Sequence, residues 1–131
     1  MKRSGFKRKH TKPLKRKNRA PRQILRDKAW RTFSKWIRNR DPNCVTCGGK
    51  AENAGHFYHG VLDFDPMNIN SQCVRCNKWL YGNLAIYSNY LLSKYGKKKF
   101  EELNARHYKA LKGEYRTEQE YIDLIEKYRL E

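Results

Sequence analysis

The sequence predicts a small α+β domain whose only sheet is a short hairpin, with helices on either side of it. Three observations predict this class. Two Cys-x-x-Cys pairs, Cys44 with Cys47 and Cys73 with Cys76, enclose a segment that is rich in turn residues. Apolar residues recur at helical spacing before and after that segment. The length of 131 residues is that of one domain.

The charge of the chain indicates a polyanionic partner. Thirty Lys and Arg against thirteen Asp and Glu give a formal net charge of +17, which steers a protein towards polyanions such as nucleic acid. No apolar run reaches the length of a membrane span or of a secretory h-region. We therefore expect a soluble intracellular protein in a compartment that keeps thiols reduced.

Residues 1–22 are expected to form a disordered basic arm. They contain eleven Lys or Arg, no acidic residue, and Gly5, Pro13 and Pro21 as helix breakers. Such a segment can follow DNA phosphates without reading sequence, although a solubilising tail is the alternative. The arm residues assigned to DNA contact are Lys15, Arg16, Lys17 and Arg19. Residues 23–131 are expected to form the single folded domain.

A first helix is predicted from Gln23 to Arg40. Its apolar stripe consists of Leu25, Ala29, Trp30, Phe33, Trp36 and Ile37. Asp41-Pro42 should end it, because the residue before a proline is disfavoured in the α region. We interpret the aromatic residues as core that packs on the cysteine segment rather than as base-stacking groups.

The four cysteines predict a structural zinc site with the ligands Cys44, Cys47, Cys73 and Cys76. Two Cys-x-x-Cys knuckles can each give two thiolates to one tetrahedral ion, and four thiolates leave no open position for catalysis. Disulfides are the alternative, but residues three apart in a tight knuckle suit a metal better, and no secretory signal is visible.

Between and after the knuckles the sequence predicts a hairpin and four helices. The hairpin spans Asn53 to Gln72, with bends at Gly60 and Asp65-Pro66. The helices are expected from the Cys73–Cys76 pair through Trp79 to a stop at Gly82, from Leu84 to Tyr95, from Lys97 to Lys112, and after a capping box at Thr117–Glu120. Gly96 should separate the second helix from the third. The inward faces are expected to be Leu84, Tyr87, Leu91 and Tyr95, then Phe100, Leu103, His107 and Leu111, and finally Tyr121, Leu124, Ile125 and Tyr128.

The cysteine segment resembles the HNH (ββα-metal) nuclease motif. His56 lies in the first strand, Asn68 lies five residues before the third cysteine, and Asn77 follows the fourth. More narrowly, a set of motifs resembles the Rap/NinG family of lambdoid phage recombination endonucleases over roughly Phe33 to Gly96. These motifs are Arg38-Asn39-Arg40-Asp41, Cys44-Val45-Thr46-Cys47-Gly48, Ala54-Gly55-His56-Phe57, Gln72-Cys73-Val74-Arg75-Cys76-Asn77, Gly82-Asn83 and Tyr87.

The resemblance implies a fold and an activity. The fold is a zinc-stapled ββα-metal (HNH, treble-clef-like) core over residues 41–83 with C-terminal helices over 84–131. The activity is divalent-metal-dependent DNA endonuclease cleavage of branched recombination intermediates, such as Holliday junctions and D-loops, in the cytoplasm of a phage-infected bacterium. The preference for branched DNA comes entirely from the resemblance.

Phosphodiester hydrolysis needs a base, a cation and phosphate donors, and the central segment offers each. His56 is the candidate base, since imidazole titrates near neutral pH. Asn68 is expected to orient the loop that holds His56. The side-chain oxygen of Asn77 is expected to bind a catalytic Mg²⁺ or Mn²⁺. Arg75, Lys78 and Asn83 are candidate phosphate contacts, with solvated charges as the alternative for the first two.

The second ligand of that cation stays open, because many HNH enzymes carry Asp or His where this chain has Gly55. Asn77 with waters and phosphate would suffice, or Asp63, Asp65 or His59 could reach in. A third alternative makes His56 the ligand and leaves the base elsewhere.

Two function hypotheses follow: the endonuclease, and a non-catalytic four-cysteine module that binds nucleic acid. A binding module has no chemical need for His56 or Asn77. A homodimer would match a two-fold junction, and Tyr87, Leu91, Tyr121 and Tyr128 are a candidate surface, with core packing as the competing explanation.

Overall fold

The computed structural model describes residues 18–110 and 115–130. Its elements, in chain order, are helix α1 (Pro21–Arg40), strand β1 (Asn53–His56), strand β2 (Ile69–Gln72), a π-helix (Arg75–Trp79), helix α2 (Leu84–Lys109) and helix α3 (Glu118–Lys127). The α+β class with a hairpin as its sheet is confirmed. Residues 1–17, which include most of the predicted arm, lie outside the described residues.

Helix α1 begins two residues earlier than predicted. Pro21 was interpreted as a helix breaker, but it occupies the first helical position, where proline has the right φ and the missing N–H removes no helical hydrogen bond. The boundary predicted at residue 22 therefore falls inside the helix. Its end is confirmed, since Asp41 is the C-cap with φ −118° and ψ 88°.

Strands β1 and β2 pair antiparallel, with Asn53 opposite Gln72 and His56 opposite Ile69. Successive side chains on a strand point to opposite faces. Ala54 lies in the core that α1 and α3 share, formed by Ala29, Phe33, Ile37, Ala54, Phe64, Ile69, Tyr121, Ile125 and Tyr128. One face of the hairpin is therefore covered by α1, and the other faces the π-helix.

The helix predicted to run from the Cys73–Cys76 pair to Gly82 is instead a five-residue π-helix that ends at Trp79. A tight turn follows, in which Tyr81 (φ 52°), Gly82 (φ 90°) and Asn83 (φ 48°) all adopt left-handed backbone. Two of these three residues are not glycine, so the turn is strained.

Gly96 separates two helical segments, as predicted, although they form one kinked element. Its φ of 83° and ψ of 165° are not helical, and the kink brings Leu103 into a cluster with Tyr87 and Leu91. Leu84 does not join that stripe, since it is 46% exposed and its side chain folds back over Gly82. Leu111 lies outside the described residues.

Helix α3 has the predicted capping box. The Glu120 amide donates to Thr117 Oγ1 at 3.2 Å, and the Thr117 amide donates to Glu120 Oε2 at 2.7 Å. Tyr128 packs edge-on against Phe33 of α1 with ring centroids 4.7 Å apart. This contact fixes α3 to the helix that covers the hairpin.

The surface suggested for a homodimer is part of the core. Tyr87 and Leu91 are 0% exposed, Tyr121 is 3% and Tyr128 is 5% exposed. Core packing, the competing explanation, therefore accounts for all four residues, and they present no surface to a second copy.

A buried polar network joins α1, the hairpin and α2. The Arg40 guanidinium donates to the backbone oxygens of Pro66 (2.8 Å) and Ile69 (3.1 Å) and to Asn70 Oδ1 (2.9 Å). Asn70 Nδ2 in turn donates to the Tyr87 hydroxyl at 3.0 Å, which donates to Gly55 O at 2.8 Å. The network ties the strand that carries His56 to α2.

Tyr87→Phe should lower the free energy of unfolding by about 1–3 kcal/mol, because Asn70 Nδ2 and Gly55 O would each lose a buried partner. Tyr90→Phe on the same helix is the matched control, since the Tyr90 hydroxyl accepts only from the exposed Lys94, and it should change stability by less than about 0.5 kcal/mol. Equal effects in urea unfolding would contradict the importance of the network.

Candidate functional site

The four cysteine sulfurs form one cluster, in which all Sγ atoms lie within 4.8 Å of one another. Cys47 Sγ and Cys73 Sγ are 3.6 Å apart. Four thiolates around a tetrahedral zinc, with Zn–S bonds of about 2.3 Å, would be spaced by about 3.8 Å. The cluster therefore suggests the structural zinc site that the spacing of the cysteines predicted.

Local backbone contacts build each knuckle. Gly48, with φ 79°, closes the first turn by donating its amide to Cys44 O at 2.8 Å. In the second knuckle, the Cys76 amide points at Cys73 Sγ at 3.4 Å. Asn83 Nδ2 points at Cys76 Sγ at 3.8 Å, so the side chain proposed as a phosphate contact is directed at the sulfur cluster. Such donors stabilise thiolates around a metal.

The thiols of the cluster have opposed acidities. Burial would raise the pKa of Cys44, but hydrogen bonds from Thr46 and from backbone amides lower it to about 6. The Gly49 amide favours ionisation of Cys47, yet contacts with the thiols of Cys44 and Cys73 raise its pKa to about 12. Ionisation of one thiol thus disfavours ionisation of its neighbour. A divalent cation bound to all four sulfurs would remove this repulsion.

His56 lies at the end of β1 in a stack of three rings. Trp30 of α1 covers one side with centroids 5.0 Å apart and planes 19° apart. His59 covers the other at 5.2 Å and 24°. His56 Nε2 lies 3.3 Å from Asp63 Oδ1, so Asp63 can hold the imidazole with its proton on Nε2 and leave Nδ1 to accept one.

Charged groups complete the cleft around His56. A cavity of about 230 Å³ is lined by Arg26, Asp27, Trp30, His56, Asp63 and Phe64. The hydrogen bond with His56 and the charge of Arg26, whose Nη2 lies 3.6 Å from Asp63 Oδ2, lower the pKa of Asp63 despite its partial burial. Because this folded-state pKa is depressed, the stabilisation is present above the ordinary Asp value and is lost as pH falls through the lowered one.

Sequence reasoning missed the partners of His56. Asp63 was considered only as a cation ligand, and Trp30 was considered only as core. The Asp63 contact depends on how the loop after β1 folds back, and the Trp30 contact depends on how α1 packs on β1; no short-range pattern encodes either. Burial and the neighbouring His56 lower the pKa of His59, against the opposing effect of the Asp63 charge.

Asn68 fastens the loop after β1. It is fully buried. Its Oδ1 accepts from the Tyr58 amide at 2.9 Å, and its Nδ2 donates to the backbone oxygens of Tyr58 (3.0 Å) and Leu62 (3.2 Å). The amide therefore holds the loop that carries His59 and leads to Asp63, as an orienting role requires, without touching His56 itself.

Asn77 lies on the other face of the hairpin from His56. A Cβ added at Gly55 would lie 3.1 Å from Asn77 Oδ1 and 2.0 Å from Gln72 Oε1. Gly55 therefore faces the π-helix, whereas His56, the next residue, faces α1. The structure brings His56 together with Asp63 and brings Asn77 together with Gln72, but it does not place the two pairs on one face.

The open candidates for the second cation ligand have other partners. Asp63 contacts His56, and His59 stacks on the same ring. Asp65 accepts from Arg106 Nη2 at 3.0 Å and from the Met67 amide at 2.9 Å. Gln72 Oε1, in contrast, is buried without a hydrogen-bond partner among the described residues.

Apart from Asn83, the proposed DNA contacts divide into three groups. Arg75 and Lys78 are exposed on the π-helix, with Lys78 Nζ 5.7 Å from the centre of the Trp79 ring. Arg19 is exposed and pairs with Asp27. Lys15, Arg16 and Lys17 lie outside the described residues.

The fold and the site define a small α+β protein built on a four-cysteine centre of the kind that binds structural zinc. In the described ranges, no helix has the length and apolarity needed to cross a bilayer. The family described as Bacteriophage Lambda NinG protein matches residues 1–131. The chain belongs to this NinG family.

Individual relatives agree with the family match. The chain is 32% identical over 113 residues to protein ninG of Escherichia phage lambda, a match that covers 72% of the chain and 55% of the relative. Protein ninG of Salmonella phage P22 is also 32% identical over 113 residues, covering 72% and 56%. The chain thus spans about half the length of the curated relatives it matches. No solved structure gives a significant match.

Cys73→Ser should abolish stoichiometric zinc binding and prevent stable folding, because an incomplete thiolate set forfeits most of the binding energy that is coupled to folding. Elemental analysis should find one zinc per wild-type chain, and circular dichroism should show an unfolded variant. Folded wild-type protein without zinc would refute the assignment.

Gly55→Ala should destabilise the protein by about 1–3 kcal/mol, because its methyl group would overlap Gln72 Oε1. Gly49→Ala is the matched control, since a Cβ there meets only Cys47 Sγ, at 3.5 Å, and it should be tolerated. Thermal unfolding of both variants with zinc bound distinguishes the two sites. A stable Gly55→Ala protein would show that Gln72 does not fill this space.

Proposed function

We propose that the chain is a divalent-metal-dependent DNA endonuclease of the HNH type that cleaves branched recombination intermediates. The observation that carries the proposal is the contact between His56 Nε2 and Asp63 Oδ1 in a cleft that also holds Arg26. A histidine oriented by a carboxylate is a general base, and an arginine beside it suits a phosphate. The net charge of +17 and the resemblance of the cysteine segment to HNH and Rap/NinG nucleases support the same substrate.

In this mechanism His56 takes a proton on Nδ1 from the water whose oxygen bonds to phosphorus, the P–O bond to the leaving oxygen breaks, and that oxygen takes a proton from solvent water. Asp63 fixes the ring orientation through Nε2 and stabilises the imidazolium that forms, while the rings of Trp30 and His59 prevent the imidazole from rotating. Asn68 acts at a distance by holding the loop that presents His59 and Asp63. Arg26 draws the scissile phosphate towards the cleft.

The catalytic cation is proposed to be Mg²⁺ or Mn²⁺, which favour oxygen ligands. It would be held by Asn77 Oδ1, with Gln72 Oε1 as the second oxygen from the protein, because both atoms adjoin the same point beside Gly55. Such an ion stabilises charge on the phosphate and the leaving oxygen. His56 and Asn77 lie on opposite faces of the hairpin. A phosphate that contacts both the base and the cation would therefore lie across the end of β1, where His56 is the last residue.

A non-catalytic nucleic-acid-binding module is the alternative function. The four-cysteine centre and the positive charge would suffice for it, and such a module has no chemical need for a histidine base or for a cation ligand at Asn77. The host cytoplasm is the proposed location, since cysteine thiols stay reduced there. A homodimer that binds a two-fold symmetric junction is also proposed.

His56→Ala should reduce cleavage of four-way DNA by about 100- to 10,000-fold, and Asp63→Asn by about 10- to 100-fold, with zinc content and DNA affinity preserved. Asn77→Ala should cause a comparable loss. The effects should be non-additive because the residues serve one transition state. Asn39→Ala, an exposed substitution on α1, is the control.

The assay compares matched duplex, single-stranded and four-way DNA, with and without added Mg²⁺ or Mn²⁺. Full activity of His56→Ala would remove it as the base. Failure of the wild-type protein to cleave any of these DNAs would favour the binding module.

A further inference from the structure

Two aromatic side chains next to the four-cysteine centre project into solvent. Trp79, at the end of the π-helix, is 69% exposed, and Tyr81, in the turn that follows, is 86% exposed. The other two tryptophans, Trp30 and Trp36, pack partly buried against the core. The sequence-based interpretation of the α1 aromatic residues as core therefore holds for Trp30 and Trp36, whereas Trp79 was assigned no role.

The backbone that presents these rings is strained. A π-helix is rare and commonly marks a functional site, and Tyr81 adopts left-handed backbone with φ 52°. That conformation is unfavourable for a bulky residue. Because the Tyr81 ring is exposed, its packing offsets little of this cost. The turn itself supports the cysteine centre through Asn83, but packing does not explain the exposure of the two rings, which points to a binding role for them.

The surroundings of the two rings are cationic. Arg75 and Lys78 are exposed on the same π-helix, and Lys78 Nζ lies 5.7 Å from the Trp79 ring centre. No acidic residue occurs in the sequence from 66 to 100. Flat aromatic faces beside positive charges are the combination that binds single-stranded nucleic acid.

We propose that Trp79 and Tyr81 stack on unpaired bases of the DNA, while Arg75 and Lys78 contact the adjoining phosphates. The proposal rests on DNA being the substrate and narrows its class to DNA with unpaired bases, as at a displaced strand or an opened branch point. Every base offers a π face, so stacking selects for unpaired structure rather than for sequence.

A protein partner is the competing occupant. Leu80, Leu84 and Ile86 are 42%, 46% and 48% exposed, so the neighbouring surface is partly aliphatic. The positive charges and the absence of acidic residues favour a polyanion. The test therefore includes self-association as an outcome.

The experiment measures affinity by fluorescence anisotropy for single-stranded DNA, a duplex with a single-stranded gap, and matched duplex, using zinc-loaded full-length chain without added Mg²⁺. Trp79→Ala and Tyr81→Ala should each weaken binding to the first two probes by about 5- to 150-fold, the equivalent of about 1–3 kcal/mol per stacked base. Binding to matched duplex should change less than about twofold. Trp79→Phe should retain most of the affinity, which separates stacking from a folding defect.

Tyr108→Ala is the matched control, since Tyr108 is 82% exposed on α2, and it should leave all three affinities unchanged. Equal losses on single-stranded and matched DNA would overturn the proposal. Unchanged DNA affinity of the Trp79 and Tyr81 variants together with altered sedimentation would also overturn the proposal, because it would identify a protein interface. Because no cleavage is measured, an inactive wild-type protein that shows the selective loss would retain the stacking site and reject only the nuclease.

Discussion

The clustering of four cysteine sulfurs is the constraint on which the rest of the structure depends. A two-stranded hairpin is marginal in water on its own, and this one spans only four residues in each strand. The cluster joins the knuckle before the hairpin to the knuckle after it, so a bound zinc would close the open end of the hairpin, where Asn53 pairs with Gln72. Asn77 and the exposed Trp79, which directly follow Cys76, take their position from that closure.

The candidate site is built from separate parts of the chain, because the cysteine segment alone would leave one side of the His56 cleft open. Trp30 and Arg26 come from α1, and α1 is fixed by its aromatic contacts with α3 and by the hydrogen bonds of Arg40 to the residues around β2. Helices distant from the cysteines in sequence thereby control the orientation of the imidazole.

The parts that sequence predicted are those with a local cause. Cysteine spacing predicts the sulfur cluster, Asp41-Pro42 predicts the end of α1, and the Thr117 capping box predicts the start of α3. The contact between Asp63 and His56 was not predictable, because it requires the loop after β1 to fold back onto the end of that strand. The π-helix was missed because its residues have no periodicity that distinguishes five residues from an ordinary helical turn.

The absence of a side chain at Gly55 and the buried position of Gln72 Oε1 depend on each other. A Cβ at residue 55 would lie 2.0 Å from Gln72 Oε1, so a carboxylate there and Gln72 in its present position exclude each other. The oxygen beside Asn77 therefore comes from the Gln72 side chain of β2 and not from a side chain at residue 55 of β1. A buried acceptor without a partner costs about 1–3 kcal/mol. Gln72 Nε2 offsets part of that cost by donating to Gly82 O at 2.8 Å, which also ties the position of Oε1 to the strained turn beside Trp79. The proposed cation ligand and the proposed stacking surface are therefore mechanically connected through one side chain.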